Sequence, residues 1–366
     1  MRSTASIVGF ATIVTIAAGA APASAAGPGW HDPTCAAVTG DGSVSLTRNQ
    51  GRTIYPTSEA LTPVTYTSGL VALDRPDTLL AMSNNRLLSS TDAGCMWRTV
   101  GAVSGSYVRL VAAAGGSAYA WDQEGHLARV TAETITPLTA PVTEVAGLGT
   151  DHADGDHLRI ADGRGQLYDS RDGGRTWRPV GGPAGDLTAA YTAVFDPFNL
   201  NHVTLGGMTT GVRVTFNGGR GWVAATGLSA SAGGNVNGFS LAISPAATNV
   251  VYAMGLDIAE LDSGAPSGGR HIYRSTNGGR TFSPIVDHGG KITLPNGPVL
   301  VAHPTDPGVV YFVFGTSFMG YGTDIYRYDF WQRKVTIAHN DYDRVTAIAF
   351  HPRKPRVMYL GFAEER

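Results

Sequence analysis

The chain has 366 residues, of which 48 are Gly and 20 Pro, with 43% hydrophobic, 9% aromatic and only 15% charged residues. A soluble domain usually carries about 25% charged residues and about 7% Gly, so this surface is built from Ser, Thr, Asn and Gly, which excludes a helical bundle or coiled coil. The 27 Lys and Arg nearly balance 29 Asp and Glu, giving a formal charge of -2 with no basic run; binding to nucleic acid or an anionic membrane surface is thereby excluded, and the evenly spread hydrophobic residues exclude disorder.

Met1-Arg2, an apolar stretch from Ile7 to Ala20 and then Ala23-Ser24-Ala25 stand in the order of a secretory leader. Residues 1–25 are therefore expected to be a signal peptide, and 26–366 a single mature domain released without a membrane anchor. Its apolar core is shorter than the ~20 residues a spanning helix needs. The two cysteines, Cys35 and Cys95, both fall in the mature part, where an oxidising compartment favours one disulfide. Neither has metal-ligand spacing.

One eight-residue pattern recurs along the chain. Its copies are Thr47–Ile54, Ser90–Trp97, Ser170–Trp177, Thr215–Trp222 and Ser275–Phe282, each of the form Ser/Thr-x-Asp/Asn-x-Gly followed by an aromatic or Ile. Gly supplies the positive φ of a tight hairpin turn, the Asp or Asn oxygen accepts turn amides, and the aromatic packs beneath. Asn49, Asn217 and Asn277 stand where Asp92 and Asp172 stand in other copies. An amide oxygen caps a turn as well as a carboxylate but cannot act as a general base, so these five positions are expected to be structural. A second pattern, an apolar strand, a Pro or polar turn, and a strand rich in Val and Tyr, occurs at 193–207, 241–255, 301–315 and 347–361. Together the two patterns make four-stranded units.

These motifs resemble the Asp-box, or BNR, repeats of β-propellers such as sialidases, xyloglucan-degrading glycoside hydrolases, sortilin-type receptors and photosystem-assembly factors. The resemblance implies an all-β, seven-bladed propeller of four-stranded antiparallel blades. The turn residues 49, 92, 172, 217 and 277 are separated by 43, 80, 45 and 60 positions, so a blade without the box is expected over 108–136 and another over 298–338. The C-terminus then supplies two strands, 345–350 and 357–361, and the N-terminus the hairpin around Asn49, so the two ends are expected to share the seventh blade and close the ring.

The resemblance also places ligands around the central channel, on the face carrying the second-to-third strand loops and the links between blades. The longest such loops are 256–270, with Asp257, Glu260, Asp262 and Arg270, and 316–324, with Phe318, Tyr321 and Asp324; Tyr342 lies in the link that follows. Carboxylates beside aromatic rings suit a carbohydrate, and long loops are often functional, so these eight residues are the expected ligand-binding candidates. The Arg-Ile-Pro motif of sialidases is missing, since Arg159-Ile160 is followed by Ala161, and the chain is too short for the two propellers of xyloglucan hydrolases; no catalytic residue carries over. The segment 151–157, Asp-His-Ala-Asp-Gly-Asp-His, could hold Ca²⁺ or Zn²⁺ but reads better as a solvated Asp/Gly turn, so no metal or other cofactor is expected. The main expectation is a secreted, non-catalytic module binding an extracellular glycan or protein. A glycoside hydrolase using acidic residues on the same face, and an assembly factor for an exported complex, are the alternatives.

Overall fold

Short apolar runs separated by Gly, Asn and Asp turns cannot sustain helices, and the computed structural model is accordingly almost entirely β. It describes residues 29–364 except 186, 188, 230–235, 295–298, 315–321 and 341–343. The expected leader lies outside the described residues, and no helix among these is long and apolar enough to cross a membrane.

After β1 (Val44–Thr47) the chain forms six four-stranded antiparallel meanders. They are β2 (Thr65–Ala72), β3 (Leu79–Ser83), β4 (Arg86–Ser90) and β5 (Arg98–Ala102); β6 (Arg109–Ala113), β7 (Ser117–Trp121), β8 (His126–Val130) and β9 (Ile135–Thr139); β10 (Val145–Thr150), β11 (Leu158–Asp162), β12 (Leu167–Ser170) and β13 (Arg178–Val180). The next are β14 (Ala190–Asp196), β15 (Asn199–Gly207), β16 (Val212–Thr215) and β17 (Val223–Ala224); β18 (Val236–Ile243), β19 (Val251–Asp257), β20 (Arg270–Ser275) and β21 (Phe282–Asp287), with the short helix α1 (Ile258–Asp262) between β19 and β20; and β22 (Leu300–Ala302), β23 (Val309–Phe314), β24 (Thr323–Asp329) and β25 (Lys334–Asn340). The last strands, β26 (Arg344–Phe350) and β27 (Met358–Glu364), pair with each other, and β27 also pairs antiparallel with β1, from Val44 opposite Gly361 to Thr47 opposite Met358. The box-free meanders expected over 108–136 and 298–338 are present as β6–β9 and β22–β25.

Burial explains the strand compositions. The second strands β3, β7, β19 and β23 are buried almost end to end, whereas the outermost strands β5, β9, β13 and β17 are largely exposed. A strand covered on both faces reads as a continuous apolar run, so each second strand must be sandwiched between neighbouring sheets. First strands lie side by side in succession: β2 beside β6, β6 beside β10, β10 beside β14, β14 beside β18 and β18 beside β22, while β26 lies beside β2. The result is a propeller-like array. Five first strands, β2, β10, β14, β18 and β26, carry a register shift against their partners near their starts, and a bulge there adds the bend and twist that crowded inner strands need. Crowding also selects Gly: a Cβ on Gly147 would strike the backbone carbonyl of Ala193 on the adjacent first strand. Buried tyrosines tie the sheets together. Tyr119 donates to Gly155 O at 2.9 Å and Tyr252 to Pro307 O at 2.6 Å, and burial pushes both phenols up to about 12.

The repeated turns form as their residues dictate. In the copy at 170–177, Ser170 Oγ donates to Asp172 Oδ1 and accepts from Gly174 N, while Asp172 Oδ1 accepts from the amides of Arg175 and Thr176. All four bonds recur around Asp92; Asn49, Asn217 and Asn277 keep three of them, the amide oxygen accepting from the Ser or Thr hydroxyl and from the amide four residues on, so it substitutes for most of the carboxylate's role. Gly94 in the first Asp copy combines φ +88 with a seat against the Tyr359 ring of β27, where no Cβ fits.

Cys35 and Cys95 form the expected disulfide, with Cα atoms 5.6 Å apart across a sequence separation of 60. It fastens the N-terminal segment to the turn between β4 and β5, where Thr39 N also donates to Cys95 O at 2.8 Å. Closing a loop of this length is worth about 2–4 kcal/mol. We expect Cys95→Ala, or reduction of the wild type, to lower the melting temperature by several degrees in a calorimetric scan.

Candidate functional site

First strands line two adjoining chambers that share Arg109, Leu110, Thr192 and Val301. The outer chamber, of about 490 Å³, opens on the face carrying the links between sheets and is lined by β2, β6, β14, β18, β22 and β26. The inner chamber, of about 560 Å³, continues toward the face of the repeated turns and has a mainly apolar wall including Trp121, Leu148, Phe195 and Ile243. Arg109, the first residue of β6, lines both.

Aromatic rings crowd the outer mouth. Tyr66 and Tyr107 meet edge to face with centroids 5.2 Å apart, and Tyr191 and Phe239 pack at 5.6 Å. Tyr107 is 69% and Tyr191 36% exposed. Tyr66, Tyr107 and Tyr191 sit at or just before the starts of first strands, where the chain enters the sheet from a link, and Phe239 sits at the register shift within β18. The entry before β6 is fixed by Asp122, a buried carboxylate that accepts from Ser106 N at 2.8 Å and from the turn amides of Glu124 and His126. Tyr107 thereby adopts φ 52, a left-handed conformation that bulky side chains rarely take. Gln123, in the turn after β7, donates to Tyr191 O at 3.3 Å and joins the two halves of the rim.

Among the described residues of this lining, Arg109 is the one cation. Its guanidinium lies over the Trp121 ring, 5.3 Å from the centroid, a favourable cation–π placement. Burial pulls it below the usual arginine range, with Tyr66 acting weakly the other way.

The described residues picked from the sequence, Asp257, Glu260, Asp262, Arg270 and Asp324, do not line either chamber and differ in what they do. The 256–270 loop contains α1: Asp257 is fully buried and caps that helix by accepting from Ala259 N and Glu260 N. Glu260 accepts from Ser267 Oγ at 2.9 Å and pairs with His271 Nε2 at 2.8 Å, and the other nitrogen of His271 meets Asp287 at 2.8 Å. Asp262 ends the helix on the surface, and Arg270 starts β20 with its carbonyl accepting from His288 N. Asp324, on β24, pairs with His339 Nδ1 at 2.6 Å and accepts from Tyr326 OH. Phe318, Tyr321 and Tyr342 lie outside the described residues. Glu260 and Asp324 are thus engaged with histidines of their own neighbourhoods.

The 151–157 turn joins β10 to β11, and its side chains turn to separate partners: Asp151 to His157 Nδ1 at 3.1 Å, Asp154 to the Asp156 amide, and Asp156 to Arg129 at 2.6 Å. His157 spends its other nitrogen on Asp169. Metal-like proximity occurs instead at Asp122, Glu124 and His126, where Asp122 serves the turn already described.

The sequence reading missed the four rim aromatics and Arg109. A signal was present, because an aromatic residue stands just before or in the first half of β2, β6, β14 and β18.

Sheet architecture and channel define a β-propeller, and solved structures agree. The GH74 enzyme of Niastella koreensis matches with TM-score 0.52 at 20% identity over 73% of this chain, and the GH74 xyloglucanase of Xanthomonas campestris with 0.58 at 13% over 82%. The chain spans only 39% and 51% of those two proteins. YCF48 of Cyanidioschyzon merolae matches with 0.53 at 12% identity over 82% of this chain and 97% of its own. At these identities the likeness concerns the fold alone. No protein-family model matches the chain. The chain is 49% identical over 347 residues to the dispase autolysis-inducing protein of Streptomyces mobaraensis, covering 94% of this chain and 93% of the relative, and it belongs to the family of that protein.

Proposed function

We propose that this chain is an exported, closed seven-bladed propeller of the Asp-box type that acts by binding, and that its ligand is an extracellular protease whose self-digestion it promotes. The observation that carries the reading is the end-to-end 49% identity to a protein named for inducing autolysis of dispase. Export is supported by the leader-like residues 1–25 and by the disulfide, which persists in oxidising compartments. The seventh blade is supported by the pairing of β26 with β27 and of β27 with β1, with β26 against β2.

A protein ligand is favoured over a glycan by the same identity, and binding over hydrolysis by the loop carboxylates, since Glu260 and Asp324 are each paired to a histidine. In this reading the propeller breaks no bond: it holds the protease so that a cleavable segment is offered to another protease molecule. The test is to incubate dispase with the purified chain and follow the intact protease on gels. Active dispase should disappear faster with the chain than without it, and dispase inactivated at its catalytic centre should stay whole. Cleavage of the inactivated protease would overturn the non-catalytic reading; an unchanged decay of the active one would overturn the proposed partner.

A further inference from the structure

Among the described residues lining the two chambers, Arg109 carries the only charge, and none of them is an acidic residue. Two other inward-lying arginines of this protein meet carboxylates, whereas Arg274 lies over the Phe330 ring, 4.2 Å from its centroid. Arg159 donates to Asp169 at 2.8 Å and to Leu200 O at 2.7 Å, and Arg327 meets Asp329 at 3.1 Å. Arg109 has the Trp121 face and no carboxylate among the described residues. A guanidinium partly withdrawn from water, with no carboxylate beside it among the described residues, costs stability, and so does a tyrosine held at φ 52 with its ring exposed. Both costs fall at the same mouth, within a chamber whose volume is that of a ligand pocket.

We propose that the channel mouth takes a carboxylate-bearing side chain of a partner polypeptide, an Asp or Glu on a projecting loop. Arg109 is its charge partner, and Tyr66, Tyr107, Tyr191 and Phe239 grip the apolar flanks. A guanidinium binds a carboxylate through two parallel hydrogen bonds. One cation matches the single charge of a carboxylate, whereas a phosphate dianion would call for more. The four rings add an apolar rim that a small free acid would not fill. The identity of the partner rests on the reading above; the chemistry of the pocket does not.

The experiment has two arms. In the first, the capped peptides Ac-Ala-Glu-Ala-NH₂ and Ac-Ala-Gln-Ala-NH₂ are titrated into the wild type and Arg109→Met, with binding read from Trp indole chemical shifts. The wild type should prefer the Glu peptide at least tenfold, Arg109→Met should lose the preference, and its melting temperature should equal or exceed that of the wild type, because an apolar side chain relieves the desolvated charge. Equal binding of the two peptides by the wild type, or a preference kept by Arg109→Met, overturns the proposal. In the second arm, dispase is incubated with wild type, Arg109→Met and Tyr107→Gly, the last chosen because Gly tolerates the left-handed φ. Both variants should accelerate self-digestion at least tenfold less than the wild type. Peptide discrimination without any effect of the wild type on dispase would retain the pocket and remove the partner; accelerated digestion without peptide discrimination would do the reverse.

Discussion

A chain ending at residue 343 should fail to fold. It would lack β26 and β27, and with them Val345, Ile348, Met358, Tyr359, Leu360 and Phe362, all buried at or below 7% exposure. Burying six such side chains contributes roughly 10–20 kcal/mol, which matches or exceeds the whole stability of a typical domain. The loss reaches both ends of the sequence. β1 would lose its partner along Val44–Thr47, and Gly94, in the turn after β4, would lose the Tyr359 ring it packs against. Unpaired edges of β1 and of the first meander would then be free to pair with other chains. Expression of the truncated chain should yield aggregates, or a species without a cooperative thermal transition by calorimetry. A soluble, cooperatively melting product would show that the terminal strands are an accessory to the array.

The features that fold legibly from sequence are those that repeat. Ser170, Asp172 and Gly174 bond within one turn, so short-range chemistry suffices to read them, and the spacing of such turns exposes the box-free meanders at 108–136 and 298–338. The disulfide was readable from compartment and parity. The helix within the 256–270 loop is not legible in the sequence because α1 is a single capped turn: its cap, Asp257, is a residue type equally at home in a solvated loop. The candidate site was harder for a physical reason. Tyr66, Tyr107, Tyr191 and Phe239 are far apart in sequence and meet only because first strands converge on one axis. Arg109 looks in sequence like any arginine at a strand start, and that no described residue lining the channel with it is acidic is a property of the assembled channel. Loop length, the discriminator used on the sequence, points to where the chain is long, whereas here the rings are presented by the ends of regular strands.

Asp169 is the converse of Arg109, a buried charge with every partner supplied, and its removal should be the most damaging single substitution on the face of the repeated turns. It lies on β12 with its side chain out of water and accepts from Arg159 at 2.8 Å and 3.1 Å, Arg178 at 2.9 Å and His157 at 3.1 Å. Burial by itself would raise this carboxyl, but the bonds from Arg178, Arg159 and His157 outweigh it and hold the group down to about 2. The folded value lies below the unfolded one of about 3.9, so the contribution, about 2–3 kcal/mol, is complete above pH 4 and is lost as pH falls from 4 toward 2. Asp169→Asn should cost about 3–5 kcal/mol at pH 7, since it strands the buried Arg159. It should also flatten the acid limb, because the variant has no carboxylate there to protonate. Denaturant midpoints for both proteins at pH 7, 4 and 2.5 decide the matter: the gap between them should be widest at pH 7 and narrow below pH 4. A gap that stays constant with pH would mean that Asp169 acts through packing alone and that its charge is stabilised no better folded than unfolded.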